Sequence, residues 1–186
     1  MIDLREITEF FKDTIAYIIP IIAMIIIMLF VYSFVPVSGN SMEPSLSSGS
    51  VVILSHLRYK YASIERNEIV VLKKKNNDGI KESYIKRIIG LPGEEIHYLD
   101  GYLYIDGKKN KEQFLPDNVE TSNFMFVDIC NETDCPDGKI PENKYLVLGD
   151  NRKNSTDSRT FGLVDKSEIE GKVIFNIWPL NSLKKI

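Results

Sequence analysis

The longest apolar stretch of the chain covers residues 14–35. A helix rises about 1.5 Å per residue, so this stretch spans about 33 Å and matches a hydrocarbon layer of about 30 Å. It predicts one transmembrane helix. A cleaved secretory signal has an apolar region of only about 7–15 residues, followed by a small-residue cleavage site. The longer run and the bulky exit sequence YSFVP at residues 32–36 favour an uncleaved anchor.

Basic residues flank this stretch on one side only. Arg5 and Lys12 precede it, and the next basic residue is Arg58. Lys and Arg resist translocation, so residues 1–13 are expected in the cytoplasm. Residues 36–186 are then expected outside the cytoplasm, as one domain of a single-pass protein of the cell membrane.

Beyond the anchor, the apolar residues form short runs rich in β-branched and aromatic side chains, bounded by Gly, Asn, Asp or Pro. Such runs predict strands, here at residues 51–54, 69–72, 84–89, 145–148 and 173–178. Two further runs flank Asp100-Gly101, a strong signal for a tight hairpin turn. We expect a mainly β fold with an antiparallel catalytic core. Residues from about 95 to 143 are expected to form a small inserted lobe.

Composition and charge narrow the function classes. The chain has 186 residues and a formal net charge of −3, with 44% hydrophobic residues. That balance is typical of a globular domain plus one anchor, and it provides no basic field for nucleic acid. The basic run at residues 73–75 lies beside the polar residues 76–79 and predicts a solvated hairpin tip.

The cysteines and histidines are few. Cys130 and Cys135 are separated by four residues, and outside the cytoplasm a local disulfide between them is favoured over free thiols. A zinc site needs four ligands, whereas His56 and His97 lie in strand-like segments without metal spacing. No metal and no cofactor are expected.

Three polar motifs offer chemistry: SGNSMEPSL at residues 38–46, YIKRIIGLPGE at 84–94 and GDNRKNSTDSR at 149–159. A serine hydroxyl is a weak nucleophile until a neighbouring base takes its proton. Strand alternation does not choose between the cations Lys86 and Arg87, but only a lysine can lose its proton when buried. Each motif alone favours a plain structural role, as a turn, an amphipathic strand or a hydrogen-bonded loop.

Together, in this order behind an anchor, the motifs resemble those of the bacterial type I signal peptidases. These are membrane-bound serine endopeptidases that release signal peptides from exported preproteins. The resemblance implies that Ser41 is the nucleophile, that Lys86 is the general base, and that the hydroxyl of Ser155 orients the lysine amine. The implied supporting residues are Asp157 and Arg159, as an ion pair, with Asp150 and Asn151. The implied pockets for small P1 and P3 side chains, as at Ala-x-Ala sites, are lined by Met42, Leu46, Tyr84 and Ile85.

One position departs from part of this family. Gram-negative members have a serine two residues before the nucleophile that donates to the oxyanion, and Gly39 stands there in this chain. The chain is in this respect similar to the Gram-positive branch. The backbone N–H of Ser41 remains as one oxyanion donor, and the second is unassigned. The implied partners are secretory preproteins and membrane lipid, with the secretion translocon nearby.

Two other classes of protein share part of this pattern. Self-cleaving repressors also use a lysine base on a related β core, but neither a DNA-binding region nor an Ala-Gly cleavage site is visible in this sequence. The second is a non-enzymatic accessory protein of pilus or secretion assembly, derived from a peptidase. Such a protein is expected to have lost Ser41 or Lys86, and both are present.

Overall fold

The structure is a computed structural model that describes residues 4–56, 63–75, 79–117, 119–131 and 133–186. Its helices are α1 (Leu4–Val31) and α2 (Ser158–Phe161), with 3-10 turns at Phe126–Asp128, Lys166–Glu168 and Leu180–Ser182. The strands are β1 (Tyr32–Pro36), β2 (Val51–Ser55), β3 (Ile69–Lys75), β4 (Lys81–Gly90), β5 (Ile96–Leu99), β6 (Tyr102–Ile105), β7 (Lys108–Asn110), β8 (Lys144–Leu148), β9 (Val164–Asp165), β10 (Ile169–Trp178) and β11 (Lys184–Lys185).

Helix α1 contains one segment, Glu9–Val31, that is long and apolar enough to cross a membrane. This agrees with a membrane anchor, but the helix bounds differ from the predicted residues 14–35. The helix begins earlier, and it ends at Val31 because the next five residues form β1. Strand β1 pairs with β2 along its whole length, from Tyr32 opposite Ser55 to Pro36 opposite Val51. Aromatic and β-branched side chains suit such a half-exposed strand, which explains why the apolar pattern continues past the helix.

The main sheet has eight strands in the order β1-β2-β10-β3-β4-β8-β9, with β11 paired to β10. Every pair in it is antiparallel, which confirms the predicted fold class. The five predicted apolar runs lie in β2, β3, β4, β8 and β10. Strands β3, β4 and β10 extend beyond the prediction by three or more residues, and β2 and β8 by one residue each. Strands β3 and β4 pair as far as Lys75 opposite Lys81. Of the predicted tip at residues 73–79, residues 73–75 belong to strand β3, and residues 76–78 lie outside the described residues.

A second sheet, of strands β5, β6 and β7, arises between β4 and β8 in the chain. Asp100 and Gly101 form the β5–β6 turn with positive φ angles of 51° and 79°, as the hairpin signal predicts. Cys130 and Cys135 form a disulfide, the alternative that the sequence favours. The disulfide is buried in one cluster with Tyr98 of β5 and Leu148 of β8, so the small sheet and the main sheet share a hydrophobic core.

The centre of the main sheet is covered on both faces. Ile69–Leu72 of β3 are buried, and so is the second half of β4. Val70 and Ile88 belong to one apolar cluster, whereas Ile69 and Val71 pack in another. A charged side chain on the second half of β4 therefore lies inside the protein, where burial acts on its protonation.

Candidate active site

Ser41 lies in the loop between β1 and β2, and its backbone is held from two sides. Within the loop, the N–H of Leu46 donates to Met42 O at 2.9 Å. From the loop after β8, the N–H of Asn151 donates to Ser41 O at 2.9 Å, and its side-chain amide donates to Asn40 O at 3.1 Å. Asn151, predicted as a supporting residue, thus clamps the peptide that carries Ser41.

Gly149 allows this close approach of the two loops. A Cβ placed on Gly149 would lie 2.5 Å from Ser41 O and 2.2 Å from Ser155 Oγ, distances that real Cβ atoms do not adopt. A side chain at this position would push the loops apart. The glycine that opens the third motif therefore has a steric role.

Lys86 reaches Ser41 from the buried part of β4. Its backbone lies opposite Val70 of β3, and the residue is 2% exposed. Its Nζ donates to Ser41 Oγ at 2.8 Å and to Ile85 O at 2.9 Å, and lies 5.7 Å from the centre of the Tyr84 ring. The structure thus brings together the predicted nucleophile and the predicted base.

Burial decides the protonation of this lysine. Desolvation lowers the pKa of Lys86 from 10.5 to about 8, while the carboxylates of Asp157 and Asp150 act in the opposite direction. Burial disfavours the charged ammonium because it loses its hydration. A neutral amine, which can accept a proton from a hydroxyl, is consequently available at mildly alkaline pH.

Asp157 and Arg159 form the predicted ion pair in two parallel hydrogen bonds. Arg159 Nε donates to Asp157 Oδ1 at 2.8 Å and Nη2 donates to Oδ2 at 2.7 Å. The fully buried Asp157 also accepts from the N–H of Gly149 at 3.0 Å and caps α2. The pair therefore fixes the strand end from which the third motif departs.

Asp150, expected only as a supporting residue, forms an ion pair with Arg87 of β4. Arg87 Nε and Nη2 donate to its two carboxylate oxygens at 2.8 and 2.6 Å. Arg87 also donates to Ser45 Oγ at 3.1 Å. Arg87 thus joins β4, the Ser41 loop and the loop after β8. The sequence analysis missed this role, although a buried arginine needs a carboxylate partner.

Arg152 links the same loop to the small sheet. It donates to Gly149 O at 3.0 Å, to Tyr98 Oη at 3.0 Å, and to both carboxylate oxygens of Glu112 at 3.0 and 2.5 Å. A further hydrogen bond joins it to Thr121 Oγ1. Glu112 and Thr121 are distant in sequence, and no motif singled them out. The conformation of residues 149–152 thus depends on contacts with the lobe segment.

Ser155 reaches the site without making its predicted hydrogen bond. It lines an open cleft of about 650 Å³ together with Ser41, Lys86 and Tyr84. Its hydroxyl is buried and has no hydrogen-bond partner among the described residues. The proposed orienting contact with the lysine amine is therefore not formed in this structure, although the hydroxyl borders the same cleft.

A smaller cavity of about 130 Å³ adjoins Ser41 and Lys86. Three of the predicted pocket residues, Met42, Tyr84 and Ile85, line it. The fourth, Leu46, does not. It is 1% exposed and packs in the core cluster with Val37 and Val52, so the prediction of a pocket role for Leu46 is not supported by its position.

The chain resembles known proteins in sequence and in fold. A family model described as signal peptidase, peptidase S26 matches residues 7–178. The fold and the matched family define the class of the chain as a serine endopeptidase, a hydrolase. The chain belongs to the S26 family of signal peptidases.

Individual relatives agree with that assignment. Signal peptidase IB of Staphylococcus aureus strain Mu50 is 37% identical over 184 residues, covering 93% of this chain and 94% of the relative. Signal peptidase I of Bacillus caldolyticus is 41% identical over 158 residues, covering 81% and 82%. A solved structure of a signal peptidase I from Enterococcus faecalis V583 is 34% identical, with a TM-score of 0.50, and covers 60% of this chain and 97% of that one.

Proposed function

We propose that this protein cleaves signal peptides from exported preproteins after small residues, with Ser41 as nucleophile and Lys86 as general base. The observation that carries the proposal is the 2.8 Å distance between Lys86 Nζ and Ser41 Oγ, with the lysine 2% exposed. A buried amine within hydrogen-bond distance of a hydroxyl has the arrangement needed to activate a serine.

In the reaction, the neutral amine of Lys86 takes the Ser41 proton as Oγ bonds to the scissile carbonyl carbon. The carbonyl π electrons move to oxygen, and the backbone N–H of Ser41 stabilises this oxyanion. The ammonium then gives its proton to the departing amine, which leaves an acyl ester on Ser41. Water next gives a proton to Lys86 as its oxygen bonds to the ester carbon. The ammonium returns that proton to Ser41 Oγ as the acyl bond breaks, which regenerates the hydroxyl and the neutral amine, and the released carboxylic acid ionises to the carboxylate.

The substrate is proposed to bind as an extended strand. Among the described strands, β1 pairs only with β2, and β4 pairs with β8 only from Arg87 onward. The 130 Å³ cavity is lined from these two unpaired edges, by residues 35–37 and 83–85. An added strand can bond to such edges. Alternate side chains of a bound strand point the same way, so the P1 and P3 side chains enter the cavity together. The small volume of the cavity favours small residues such as Ala at both positions.

The membrane arrangement belongs to the same proposal. Residues 1–13 are proposed to lie in the cytoplasm, the anchor ends with α1 at Val31, and the catalytic domain, which begins with β1 at Tyr32, lies outside, with a lobe at about 95–143. The basic residues Arg5 and Lys12 before the apolar span support this orientation. The catalytic residues then lie on the side where signal peptides leave the membrane.

The test uses the full chain in detergent, incubated with a preprotein that has Ala at P3 and P1, followed by mass spectrometry of the products. We expect cleavage after the P1 Ala and none by Ser41→Ala, Lys86→Ala or Lys86→Arg, since arginine keeps the charge but cannot act as a base. Lys139→Ala, at an exposed lysine, is the matched control and is expected to cleave normally.

Cleavage by Lys86→Ala at neutral pH would overturn the dyad. A preference for bulky or charged P1 residues would overturn the pocket assignment while leaving the dyad intact. Failure of the unmodified chain to cleave any preprotein would instead favour the non-enzymatic accessory role.

A further inference from the structure

A third cavity, of about 690 Å³, lies between the Ser41 loop and the C-terminal segment. One wall is formed by Pro44 and the four serines that follow it, and the other by residues between Asn176 and Lys184. Among the described residues, none that lines this cavity also lines the two cavities at Ser41 and Lys86. The peptidase reaction as described above does not use it.

The lining of this cavity suits an anion that also carries hydroxyl groups. Serines at positions 45, 47, 48, 50 and 182 line it, and Lys184 supplies a cation. Within the part of the chain that the structure describes, no Asp or Glu lines it. Asn176, 2% exposed, also lines it, and its Oδ1 lacks a hydrogen-bond partner among the described residues. A ligand with phosphate oxygens and a hydroxyl donor complements these groups.

The rim of the cavity is apolar. Trp178 is 53% exposed and Leu183 62%, and both line the cavity, with Leu180 beside them at 72% exposure. Large exposed apolar side chains that border a polar pocket are typical of a surface that meets a partner. Tryptophan beside a lysine is the composition favoured where a bilayer meets water.

The anchor keeps this surface near the membrane. Pro36 lies opposite Val51, and Val51 lies opposite Trp178, so Trp178 is two strands away from Pro36. Neighbouring strands are about 4.8 Å apart, and the five residues of β1 extend at most about 17 Å from the end of α1. The cavity is therefore within about 30 Å of the point where the helix ends.

We infer that this cavity binds the headgroup of an anionic glycerophospholipid. The phosphodiester lies at Lys184 and the serine hydroxyls, the headgroup hydroxyls extend toward Asn176, and the acyl chains run along Trp178 and Leu183 into the bilayer. A soluble phosphate ester offers the same oxygens but gains nothing from the apolar rim. This inference goes beyond the proposed function, because binding requires no cleavage.

Headgroup binding would also contact the loop that carries the nucleophile. Ser45 lines the cavity, and its Oγ accepts a hydrogen bond from Arg87 at 3.1 Å. Arg87 adjoins Lys86 in β4. A lipid in this site therefore contacts the segment that positions Ser41, through residues that do not line the substrate cavity.

The test is native mass spectrometry of the full chain in a neutral detergent, titrated with dioleoylphosphatidylglycerol or dioleoylphosphatidylcholine. We expect the first phosphatidylglycerol to bind more tightly than phosphatidylcholine. Lys184→Gln is expected to weaken phosphatidylglycerol binding about fivefold. Lys185→Gln is the matched control, since Lys185 is the other residue of β11 and does not line the cavity.

A second variant and a soluble competitor complete the design. Ser48→Glu places a carboxylate at an exposed position of the wall and is expected to weaken phosphatidylglycerol binding at least as much as Lys184→Gln. Equal affinity for both lipids, or equal losses in Lys184→Gln and Lys185→Gln, would overturn the inference. Displacement of the lipid by sn-glycerol 3-phosphate at matching concentration would also overturn it, since the site would then prefer a free phosphate ester.

Discussion

Replacing Lys86 by methionine should change stability in a way that depends on pH. Burial lowers the pKa of Lys86 from 10.5 to about 8. At about 1.4 kcal/mol per pKa unit, the buried ammonium costs the folded state about 3 kcal/mol. Between pH 8 and 10.5 the unfolded chain keeps a proton that the folded chain releases, so stability rises with pH across this window. The cost is fully present below about pH 8 and absent above about pH 10.5.

Methionine has a similar length and no charge, so Lys86→Met removes this cost. It also removes the hydrogen bonds from Nζ to Ser41 Oγ and Ile85 O, each worth about 1 kcal/mol. The variant should therefore be about 1 kcal/mol more stable than the unmodified protein at pH 7 and about 2 kcal/mol less stable at pH 10.5. The change of about 3 kcal/mol between the two pH values follows from the pKa alone.

The assay is guanidinium unfolding of the full chain in detergent micelles, followed by the β-sheet circular dichroism signal at both pH values. Lys139→Met, at an exposed position, serves as the control for the loss of one surface lysine. The reasoning would be refuted if the stability difference between Lys86→Met and the unmodified protein were the same at pH 7 and pH 10.5. The buried amine would then have an ordinary pKa.

Three further substitutions test residues that surround Ser41 and Lys86. Gly149→Ala should lower kcat about 100-fold, because its Cβ would lie 2.5 Å from Ser41 O and displace the nucleophile; an unchanged kcat in the peptide cleavage assay would contradict this. Asp150→Asn should cost about 3–5 kcal/mol in guanidinium unfolding by leaving Arg87 as an unpaired buried cation, whereas a loss below 1 kcal/mol would show that the pair is dispensable. Ser155→Ala should lower kcat and leave stability unchanged, since its hydroxyl has no partner to lose among the described residues; unchanged kcat would remove Ser155 from the mechanism.

The strands of the main sheet were predictable because most of them are short apolar runs bounded by turn residues. Strand β1 was not. Its sequence YSFVP continues the apolar run of α1, and an unbroken apolar run has no period that separates helix from strand. What ends the helix is the pairing of Tyr32–Pro36 with β2, a contact between segments about 20 residues apart. The local pattern of apolar and polar residues contains no signal for such a contact.

In the active site, too, some features were predictable from the sequence and others were not. The resemblance to the signal peptidases implied Ser41 as the nucleophile, and chemistry chose Lys86 over Arg87, because only the lysine can lose its proton when buried in an apolar strand. The partners of Asp150 and Arg152 were not predictable, because Arg87 and Glu112 lie 63 and 40 residues away in the chain. Several carboxylates and cations were available, and only the folded topology selects among them. Leu46 likewise has a side chain suited to a pocket, and packing places it in the core.

The central claim, that a neutral Lys86 activates Ser41, is tested most directly by the pH dependence of cleavage. The rate for a peptide with Ala at P3 and P1 is measured with the full chain from about pH 5 to 11. The amine must be deprotonated to accept the Ser41 proton, so kcat/KM should rise with pH and reach half its maximum near pH 8. A rising limb centred above pH 10 would mean that Lys86 titrates as a solvated lysine, and would contradict its role as the base.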